Sequence, residues 1–584
     1  MHKTGKMLCT LAASLKLLIT LLLLLPATFA VQPSDTLDST SLGTLDASHT
    51  PSTFYPPQRT LTPDFPSLHV MFVVGTSTYT HIAAPVEYLL ELKRRGHRVS
   101  WQQPQYLASW FKSEQERLSL PFNFSLVDVD NSWLDGALQR MSERPWLEVI
   151  SETFKKMYPV TYPVLYRALL DAIKQDRPDV LMCDSLADHC VDVSKQLQLP
   201  AVITHCTTPF DTHQPYHFDV PWSFTSFSQQ WHEQPLWHRL YNTFAIPPLV
   251  LWHGVGGLRR RIDEIKAAAG SPGRANKGAS THGLDVLYDS SWAWEWPLYL
   301  PPYLHMVGPI PKTWRQGSQQ LDPSLQRWLD DSVEAGVPVV YVAMGSIAKL
   351  MDGWLRTFTS AFSSCPALPS GLDATNHTSP FRVLWADRNS PPWLAELLPP
   401  SVRVEGWVDQ PAVLAHPAVH LFLSHGGMGS SQEALAVGLP ILALPILIDQ
   451  PPISAKLRDR GVAVVLDKMS FTADEMCAAM RHLVFDPQVR QSADMLQRLY
   501  HKSDSGGLQR AADIIERAAV STKHLIPYRE RQDVSWVVRY NVDVYAIGLA
   551  VLAGVLGTVG VLAWLAVQSA SRVVGANRPK SKLA

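Results

Sequence analysis

Residues 421–435 read LFLSHGGMGSSQEAL, an apolar run followed by a glycine-rich turn and then by helix-favouring residues. The apolar run predicts a buried strand, and the turn opens a helix. Backbone N–H groups at such a helix start, together with the helix dipole, form a site for an anion such as a diphosphate. His425 lies at the carboxyl end of the strand, where it can donate to a phosphate oxygen. Glu433 lies about one turn into the helix.

The alternation of strand and helix continues on both sides of this stretch. Residues 68–74 predict a buried strand, residues 83–95 have helical spacing closed by Gly96, and residues 97–101 resume as a strand. Further strands are predicted at 179–182, 201–204, 337–343, 381–385, 402–405 and 441–444. This pattern indicates an α/β protein with two doubly wound, Rossmann-like domains that face each other across a cleft.

The two ends of the chain differ from this core. Residues 1–30 have the features of a signal peptide cleaved after Ala30, with an uncleaved anchor as the alternative. Residues 544–567 carry no charge and are long enough to cross ~30 Å of hydrocarbon as a transmembrane helix; a buried core helix is the alternative. Basic residues without acids follow this run. They place the C-terminus in the cytosol and most of the chain in the lumen.

We therefore predict eight segments along the chain. They are a signal peptide at 1–30, a disordered leader at 31–66, an N-terminal domain at 67–307, a linker at 308–325, a C-terminal domain at 326–520, a return segment at 521–543, a transmembrane helix at 544–567 and a cytosolic tail at 568–584. Lys580 and Lys582 resemble the dilysine signal of endoplasmic reticulum membrane proteins, with ordinary flanking charge as the alternative.

Composition excludes some classes of function. The net charge of −1 gives no electrostatic footprint for nucleic acid. Five cysteines follow the signal segment without CxxC spacing, so neither a zinc site nor a disulfide framework is indicated. Asn123 and Asn376 begin glycosylation sequons, which predict a glycoprotein if both lie in the lumen. The aromatic-rich stretch 222–252 fits a helical core patch and an apolar acceptor pocket or membrane face equally well.

The region from Trp407 to Gln450 resembles the donor-binding signature of the UDP-glycosyltransferases, with the 44-residue spacing intact. The resemblance extends upstream through Cys183-Asp184 and downstream to the start of the transmembrane run, so it covers most of the mature chain. It implies the two-domain fold called GT-B, an acceptor-binding N-terminal domain and a C-terminal domain that binds a UDP-sugar. The membrane anchor favours the animal and fungal branch of this family.

The resemblance also implies a role for each donor-site residue. Trp407 and Gln410 would hold uracil, Glu433 the ribose hydroxyls, and Asp449 and Gln450 the transferred sugar. The diphosphate would lie against Ser346, His425, Ser430 and the backbone of Gly427 and Gly429. Two positions depart from the family pattern. Gly429 replaces the usual asparagine, which loses a side-chain contact, and Asp409 stands where proline is usual.

His81, which follows the first predicted strand, occupies the position of the family's general base, and Asp184 would orient it. An imidazole with a pKa near ~6.5 can take the proton of an attacking hydroxyl, and a carboxylate on its other nitrogen fixes the tautomer. The implied reaction is an inverting transfer of a hexosyl or hexuronosyl group from a UDP-sugar to a hydroxyl of a small lipophilic acceptor. The UDP-sugar is a co-substrate, and no cofactor or metal is expected.

Several alternatives compete with this hypothesis. A dinucleotide-binding fingerprint is disfavoured because Gln432 stands where a third glycine is needed. Asp128-Val129-Asp130 forms a DxD motif outside the donor half, and His205, His213 and His217 lack a further zinc ligand at suitable spacing. A catalytically silent, membrane-anchored protein that binds UDP-sugar or lipid is the other functional class, with Gly429 as its support. We predict an enzyme of the endoplasmic reticulum membrane with a lumenal catalytic part.

Overall fold

The computed structural model describes fifteen parts of the chain, all within one compact unit, Phe65–Ala584. They are residues 66–75, 79–105, 123–144, 146–207, 256–271, 284–296, 300, 302–310, 321–345, 350–365, 380–388, 391–446, 449–503, 506–520 and 542–576. Several predictions lie outside these residues. They concern the signal peptide, the leader up to 65, the stretch 222–252, His213, His217, Ser346, Asn376, most of the linker, the return segment up to 541 and the tail from 577.

The N-terminal half is built on a parallel sheet with the order β3-β2-β1-β4-β5-β6-β7. Its strands are β1 (His69–Val73), β2 (Arg98–Pro104), β3 (Asn123–Val127), β4 (Val180–Asp184), β5 (Ala201–His205), β6 (Asp285–Tyr288) and β7 (Leu304–Met306). The described helices of this half are α1 (Tyr79–Arg94), α2 (Leu134–Glu143), α3 (Trp146–Gln175), α4 (Asp188–Leu197) and α5 (Gly256–Ala268).

The C-terminal half has a second parallel sheet with the order β10-β9-β8-β11-β12-β13. The strands are β8 (Val339–Ala343), β9 (Arg382–Ala386), β10 (Val402–Glu405), β11 (Val419–Ser424), β12 (Ile441–Ala443) and β13 (Ala463–Val465). The described helices are α6 (Pro323–Glu334), α7 (Asp352–Ser364), α8 (Leu394–Leu397), α9 (Gln410–Leu414), α10 (Met428–Ala436), α11 (Gln450–Asp459), α12 (Ala473–Phe485) and α13 (Pro487–Ser503). The prediction of two doubly wound α/β domains is confirmed.

Both faces of each sheet are buried, as expected when helices cover a parallel sheet on two sides. Val70, Phe72 and Trp101 of the first sheet lie in one core cluster, with the Phe72 and Trp101 ring centroids 5.0 Å apart. Met71 and Val73 point to the opposite face and join a second cluster. This alternation explains why the strands read as continuous apolar runs rather than as amphipathic ones.

The last helix before residue 521, α14 (Gly507–Val520), packs on the first sheet although it follows the second in sequence. Ala511, Ala512 and Ile515 are buried with the strands of the N-terminal half. At the helix surface Arg95 donates to Asp513 at 2.6 Å and to Glu516 at 2.9 Å. The sequence analysis grouped these residues with the C-terminal half, because periodicity does not show which sheet an apolar helix face will cover.

A segment of the N-terminal half, in turn, packs in the core of the C-terminal half. The segment after β6 carries Trp294 into the core of the C-terminal half. Next to it, the buried Glu295 carboxylate pairs with the Lys456 ammonium group on α11, and Trp296 Nε1 donates to Asp459 Oδ2 at 3.1 Å. The two halves therefore exchange elements, which fixes the orientation of one sheet relative to the other.

The last described helix, α15 (Val542–Ala576), contains the apolar run identified in the sequence. Its segment Tyr545–Ser569 has a mean hydropathy of 2.3 and no buried side chains. At 1.5 Å per residue these 25 residues extend ~37 Å, enough to cross a hydrocarbon layer of ~30 Å. By length and composition α15 is a candidate transmembrane helix.

The prediction that the cysteines form no disulfide framework was wrong. Cys183 is bonded to Cys190, and Cys365 to Cys477, which leaves the buried Cys206 as a free thiol among the described residues. The first bridge joins the end of β4 to the start of α4. The second joins the C-cap of α7 to the second turn of α12, and its two cysteines are 112 residues apart in sequence. Neither spacing is diagnostic, because packing alone brings each pair together.

We expect the contact between α14 and the first sheet to depend on Gly507. A Cβ atom at this position would lie 2.0 Å from the carbonyl oxygen of Val307, so Gly507→Ala must displace backbone. The variant should lose about 1–3 kcal/mol of unfolding free energy and have a lower Tm in detergent solution. Gly353→Ala is the control, because the position in α7 has open space around it and alanine favours helix. Equal thermal stability of the two variants would contradict this packing.

Candidate active site

The first group of functional residues lies where the strand order of the N-terminal sheet reverses. β1 and β4 are parallel neighbours, yet the strands that follow them in sequence lie on opposite sides of this pair. Such a reversal opens a crevice at the carboxyl ends of the strands, where ligands of doubly wound folds bind. His81 is the third residue of α1, after β1, and Asp184 is the last residue of β4. The fold therefore places both side chains at this crevice.

His81 and Asp184 form a close pair. His81 Nδ1 lies 2.6 Å from Asp184 Oδ1, with side-chain exposures of 14% and 1%. The other carboxylate oxygen accepts from the backbone N–H groups of Gly75, at 3.1 Å, and Leu186, at 3.3 Å. Gly75 is required here because a Cβ would lie 2.2 Å from the carbonyl oxygen of Leu186. These backbone hydrogen bonds therefore hold the Asp184 carboxylate in place independently of the His81 imidazole.

Two opposing effects act on the His81 imidazole. Burial lowers its pKa, but the Asp184 carboxylate outweighs burial and raises the pKa well above 6.5. In the neutral form, Nδ1 carries the proton donated to Asp184, which leaves the Nε2 lone pair as a proton acceptor. The pair therefore has the arrangement of a general base with an orienting carboxylate.

A small cavity of about 10 Å³, with room for about one water molecule, adjoins His81. Its lining combines apolar and polar groups from α1, β5 and the end of β6: His81, Ala84, Pro85, Tyr88, Thr204, His205, Cys206 and Asp289. The Tyr88 hydroxyl and Thr204 Oγ1 are buried and have no hydrogen-bond partner among the described residues. Buried hydroxyls normally bond to a protein group, a water or a ligand. The cavity is therefore suited to a small group with a polar end.

His205, which the sequence analysis considered as a zinc ligand, has structural partners instead. Its Nδ1 lies 2.8 Å from Thr207 Oγ1, and its ring stacks on Tyr288 at 4.8 Å. Burial, with a smaller contribution from the His81 charge, lowers the pKa of His205 to about 3, so the ring is neutral at physiological pH. It lines the cavity as a neutral aromatic wall.

The donor-site residues lie at the corresponding reversal of the second sheet, between β8 and β11. Gly345 follows β8, His425 follows β11, and Gly427 is the N-cap of α10. The His425 ring fits between the two glycines. A Cβ on Gly345 would lie 2.8 Å from His425 Cε1, and a Cβ on Gly427 would lie 2.4 Å from Nε2. The glycine-rich turn thus makes room for an imidazole beside the helix start.

His425 differs electrostatically from His81. Burial lowers its pKa to about 4, and no carboxylate among the described residues opposes the effect. The ring is therefore neutral at pH 7, with one N–H donor and one acceptor nitrogen. Together with the unpaired N–H groups in the first turn of α10, this donor makes the turn a site for an anion.

Three polar residues predicted to bind the donor are already connected. Gln410 Nε2 donates to Glu433 Oε2 at 2.7 Å and lies 3.5 Å from Ser430 Oγ. Trp407 is 55% exposed, so an indole face is available for stacking on a planar base. Asp409 accepts from the backbone of Ala412 at 3.3 Å as the N-cap of α9, which gives this departure from the family pattern a structural role.

Asp449 and Gln450, predicted to bind the sugar, lie at the start of α11. Burial raises the pKa of Asp449 to about 6, and the His81 charge opposes this rise. This interaction acts between residues of different halves, so Asp449 lies in the neighbourhood of His81. Gln450 is buried, and its side-chain Oε1 accepts a hydrogen bond from the backbone N–H group of Ile446 at 2.7 Å.

The structure brings together the predicted residues that it describes, while Ser346 lies outside the described residues. Sequence analysis missed Gly75, Tyr88, Thr204 and Asp289. Thr204 and Asp289 lie at or just after the ends of β5 and β6, so strand-end position could have identified them. No comparable signal exists for Tyr88, because it reads as an ordinary apolar position of an amphipathic helix.

Known proteins resemble this chain over most of its length. The family model for UDP-glucoronosyl and UDP-glucosyl transferase matches residues 70–572. A UDP-glycosyltransferase of Talaromyces amestolkiae is 26% identical over 543 residues, covering 85% of this chain and 97% of the relative. The UDP-glucuronosyltransferase 2B7 of Homo sapiens is 22% identical, covering 83% of this chain and 90% of the relative.

Solved structures share the fold. The glycotransferase of kitacinnamycin superposes with a TM-score of 0.52 at 21% identity, covering 77% of this chain and 99% of that structure. Os79 from O. sativa, solved with U2F and trichothecene, has a TM-score of 0.53 at 18% identity, with coverages of 77% and 99%. At these identities the likeness establishes the GT-B fold.

The electrostatic origin of the His81 shift can be tested directly. Asp184→Asn removes the carboxylate but keeps the side-chain size, so burial should then dominate and the pKa of His81 should fall below 6.5. Histidine-selective NMR titration, with the His81 signal assigned by its absence in His81→Gln, measures this change. Asp176→Asn is the control, since Asp176 pairs with Arg98 at the surface. An unchanged His81 pKa in Asp184→Asn would refute the proposed cause.

Proposed function

The chain belongs to the UDP-glucuronosyl and UDP-glucosyl transferase family, and from this premise we propose that His81 is the general base for inverting sugar transfer to a small lipophilic acceptor. The donor is a UDP-sugar, and the acceptor atom is a hydroxyl oxygen. The single observation that carries this proposal is the 2.6 Å contact between His81 and the fixed Asp184 carboxylate, in the neighbourhood of Asp449.

The donor would bind across the C-terminal half. Uracil stacks on Trp407, the ribose hydroxyls bond to Glu433, and the diphosphate lies at the first turn of α10. The Gln410–Glu433 hydrogen bond supports this assignment, because it holds the carboxylate in place before a nucleotide arrives. The neutral state of His425 supports it as well, since the ring then donates one hydrogen bond to a phosphate oxygen.

The diphosphate would be held without a metal ion. The described groups at this end of the cleft are backbone N–H donors, an imidazole and the hydroxyl of Ser430, which suit an anion rather than a divalent cation. Glu433, the nearby carboxylate, already accepts from Gln410 and lies about a turn further along α10. The leaving UDP would thus be stabilised by fixed dipoles.

The transfer would proceed as one displacement. The acceptor oxygen attacks the anomeric carbon while His81 Nε2 takes its proton, and the bond from that carbon to the β-phosphate oxygen breaks with its electron pair leaving on UDP. The imidazolium that forms is stabilised by Asp184 at 2.6 Å. Attack from the face opposite the leaving group inverts the anomeric configuration, so an α-linked donor gives a β-glycoside.

The acceptor hydroxyl would approach through the cavity beside His81. Ala84 and Pro85 give its wall an apolar part, whereas the Tyr88 and Thr204 hydroxyls provide polar contacts at one end. This combination fits a lipophilic molecule that carries a hydroxyl. The apolar helix α15 would anchor the enzyme in the endoplasmic reticulum membrane, into which lipophilic acceptors partition, with the catalytic part in the lumen.

We expect His81→Ala to abolish transfer while UDP binding is retained. Loss of a general base lowers kcat by about 10²–10⁴-fold, and His81 lies in the half opposite the nucleotide. Full-length protein in detergent would be assayed for UDP release with a panel of UDP-sugars, phenols and sterols, and for UDP affinity by calorimetry. His420→Ala, on the exposed side of β11, is the control. Turnover by His81→Ala at the control rate would disprove the base role.

The pH dependence should report the same group. His81 must be unprotonated to act as a base, and its pKa is raised above 6.5. The value of kcat/KM is therefore expected to increase with pH and to level off only above the raised pKa. In Asp184→Asn the midpoint should move to lower pH, while the plateau rate decreases because the imidazole has lost its orienting carboxylate. A profile with its midpoint at or below 6.5 in the wild type would speak against this assignment.

A further inference from the structure

One contact crosses the cleft between the helix that carries His81 and the helix that would hold the diphosphate. Tyr79 is the first residue of α1, and Gly429 is the second residue of α10. A Cβ built on Gly429 would have Tyr79 Cε1 as its nearest neighbour, at 3.9 Å. The edge of the Tyr79 ring therefore lies at van der Waals distance from the place where a side chain at residue 429 would begin.

The ring is held in this position. Tyr79 is partly buried and packs against the core cluster of the first sheet. It precedes His81 by two residues, so the two side chains emerge from the same first turn of α1, about 3 Å apart along the helix axis. Tyr79 thus lies on the helix that carries the proton acceptor, with its ring edge beside the start of α10.

The reaction geometry places the sugar at the same point. Under the proposed function, the anomeric carbon must lie between the acceptor oxygen near His81 and the diphosphate at the first turn of α10. The bound sugar must then pass the ring of Tyr79. Gly429 has no side chain that could face the sugar, so the edge of the Tyr79 ring lines this part of the site.

We propose that Tyr79 contacts the transferred sugar and, together with Gly429, selects a neutral hexose or pentose over a hexuronate. A flat aromatic ring presents an apolar surface that matches the C–H groups on one face of a neutral sugar. None of the described donor- and sugar-site residues named above is a lysine or an arginine, which would be needed to pair a hexuronate carboxylate. This inference rests on the proposed function, because it assumes where the donor lies.

Binding experiments test the inference without requiring turnover. The Kd values of UDP, UDP-glucose, UDP-xylose and UDP-glucuronate would be measured by calorimetry on the full chain. We expect the neutral UDP-sugars to bind more tightly than UDP-glucuronate. Tyr79→Ala should weaken binding of UDP-glucose by about five- to tenfold, as expected for the loss of one aromatic contact, with UDP affinity unchanged. Tyr79→Phe is the matched control and should keep the wild-type values.

Two further variants separate a direct contact from a folding effect. Tyr79→Leu keeps apolar burial but has no flat ring, so it should weaken UDP-glucose binding as Tyr79→Ala does. Gly429→Leu should weaken UDP-glucose binding in the presence of Tyr79, because the two side chains compete for space. The double variant, which also carries Tyr79→Ala, should regain part of the lost UDP-glucose affinity. Substitutions at two independent positions would instead add their effects.

The results that would overturn this inference differ from those that would overturn the proposed function. Tighter binding of UDP-glucuronate than of UDP-glucose, or equal weakening of UDP and UDP-glucose by Tyr79→Ala, would refute the sugar contact. If UDP-sugars bind with the expected differences but no donor supports UDP release with any acceptor, the transfer reaction fails while the sugar contact stands.

Discussion

The parallel pairing of β1 with β4 is the constraint on which the catalytic end of the site depends. Val70 to Val73 lie beside Val180 to Cys183 in register, so both strands end at the same edge of the sheet. Gly75, two residues after Val73, therefore lies close to Asp184, which directly follows Cys183, and the Gly75 N–H group fixes one carboxylate oxygen. The other oxygen remains for His81 at 2.6 Å. A shift of one residue in this register would turn the Asp184 side chain to the opposite face of the sheet.

Each sheet has one reversal of strand order with a histidine beside it, and the pKa values of these two histidines are shifted in opposite directions. His81 and His425 each lie just after a strand at a reversal of strand order. Burial lowers the pKa of both rings, but only His81 has a carboxylate partner, which reverses the shift. A cleft with one readily protonated imidazole and one neutral imidazole can accept a proton at one end and donate hydrogen bonds to an anion at the other.

These two ends function together only if the sheets keep their relative placement. The exchange of elements provides this restraint. α14 returns to the first sheet, with Arg95 bonded to Asp513 and Glu516, and the segment around Trp294 enters the second half. The buried Glu295 of this segment pairs with Lys456 on α11, the helix that begins next to Asp449. Helix α11 therefore carries both Lys456, which restrains the two halves, and Gln450, which is predicted to bind the sugar.

The sequence by itself determined the α/β architecture and the glycine-rich turn at His425, because these depend on local periodicity and on motif spacing. The pairing of His81 with Asp184 was implied by the resemblance to a known family, and the structure shows the contact. Only the tertiary structure decided that α14 covers the first sheet, that Cys183 pairs with Cys190 and Cys365 with Cys477, and that Tyr79 meets Gly429. These contacts join residues through packing of surfaces that look alike in sequence: any apolar helix face can cover either sheet. The choice is made by the complementarity of assembled side chains, which no local pattern encodes.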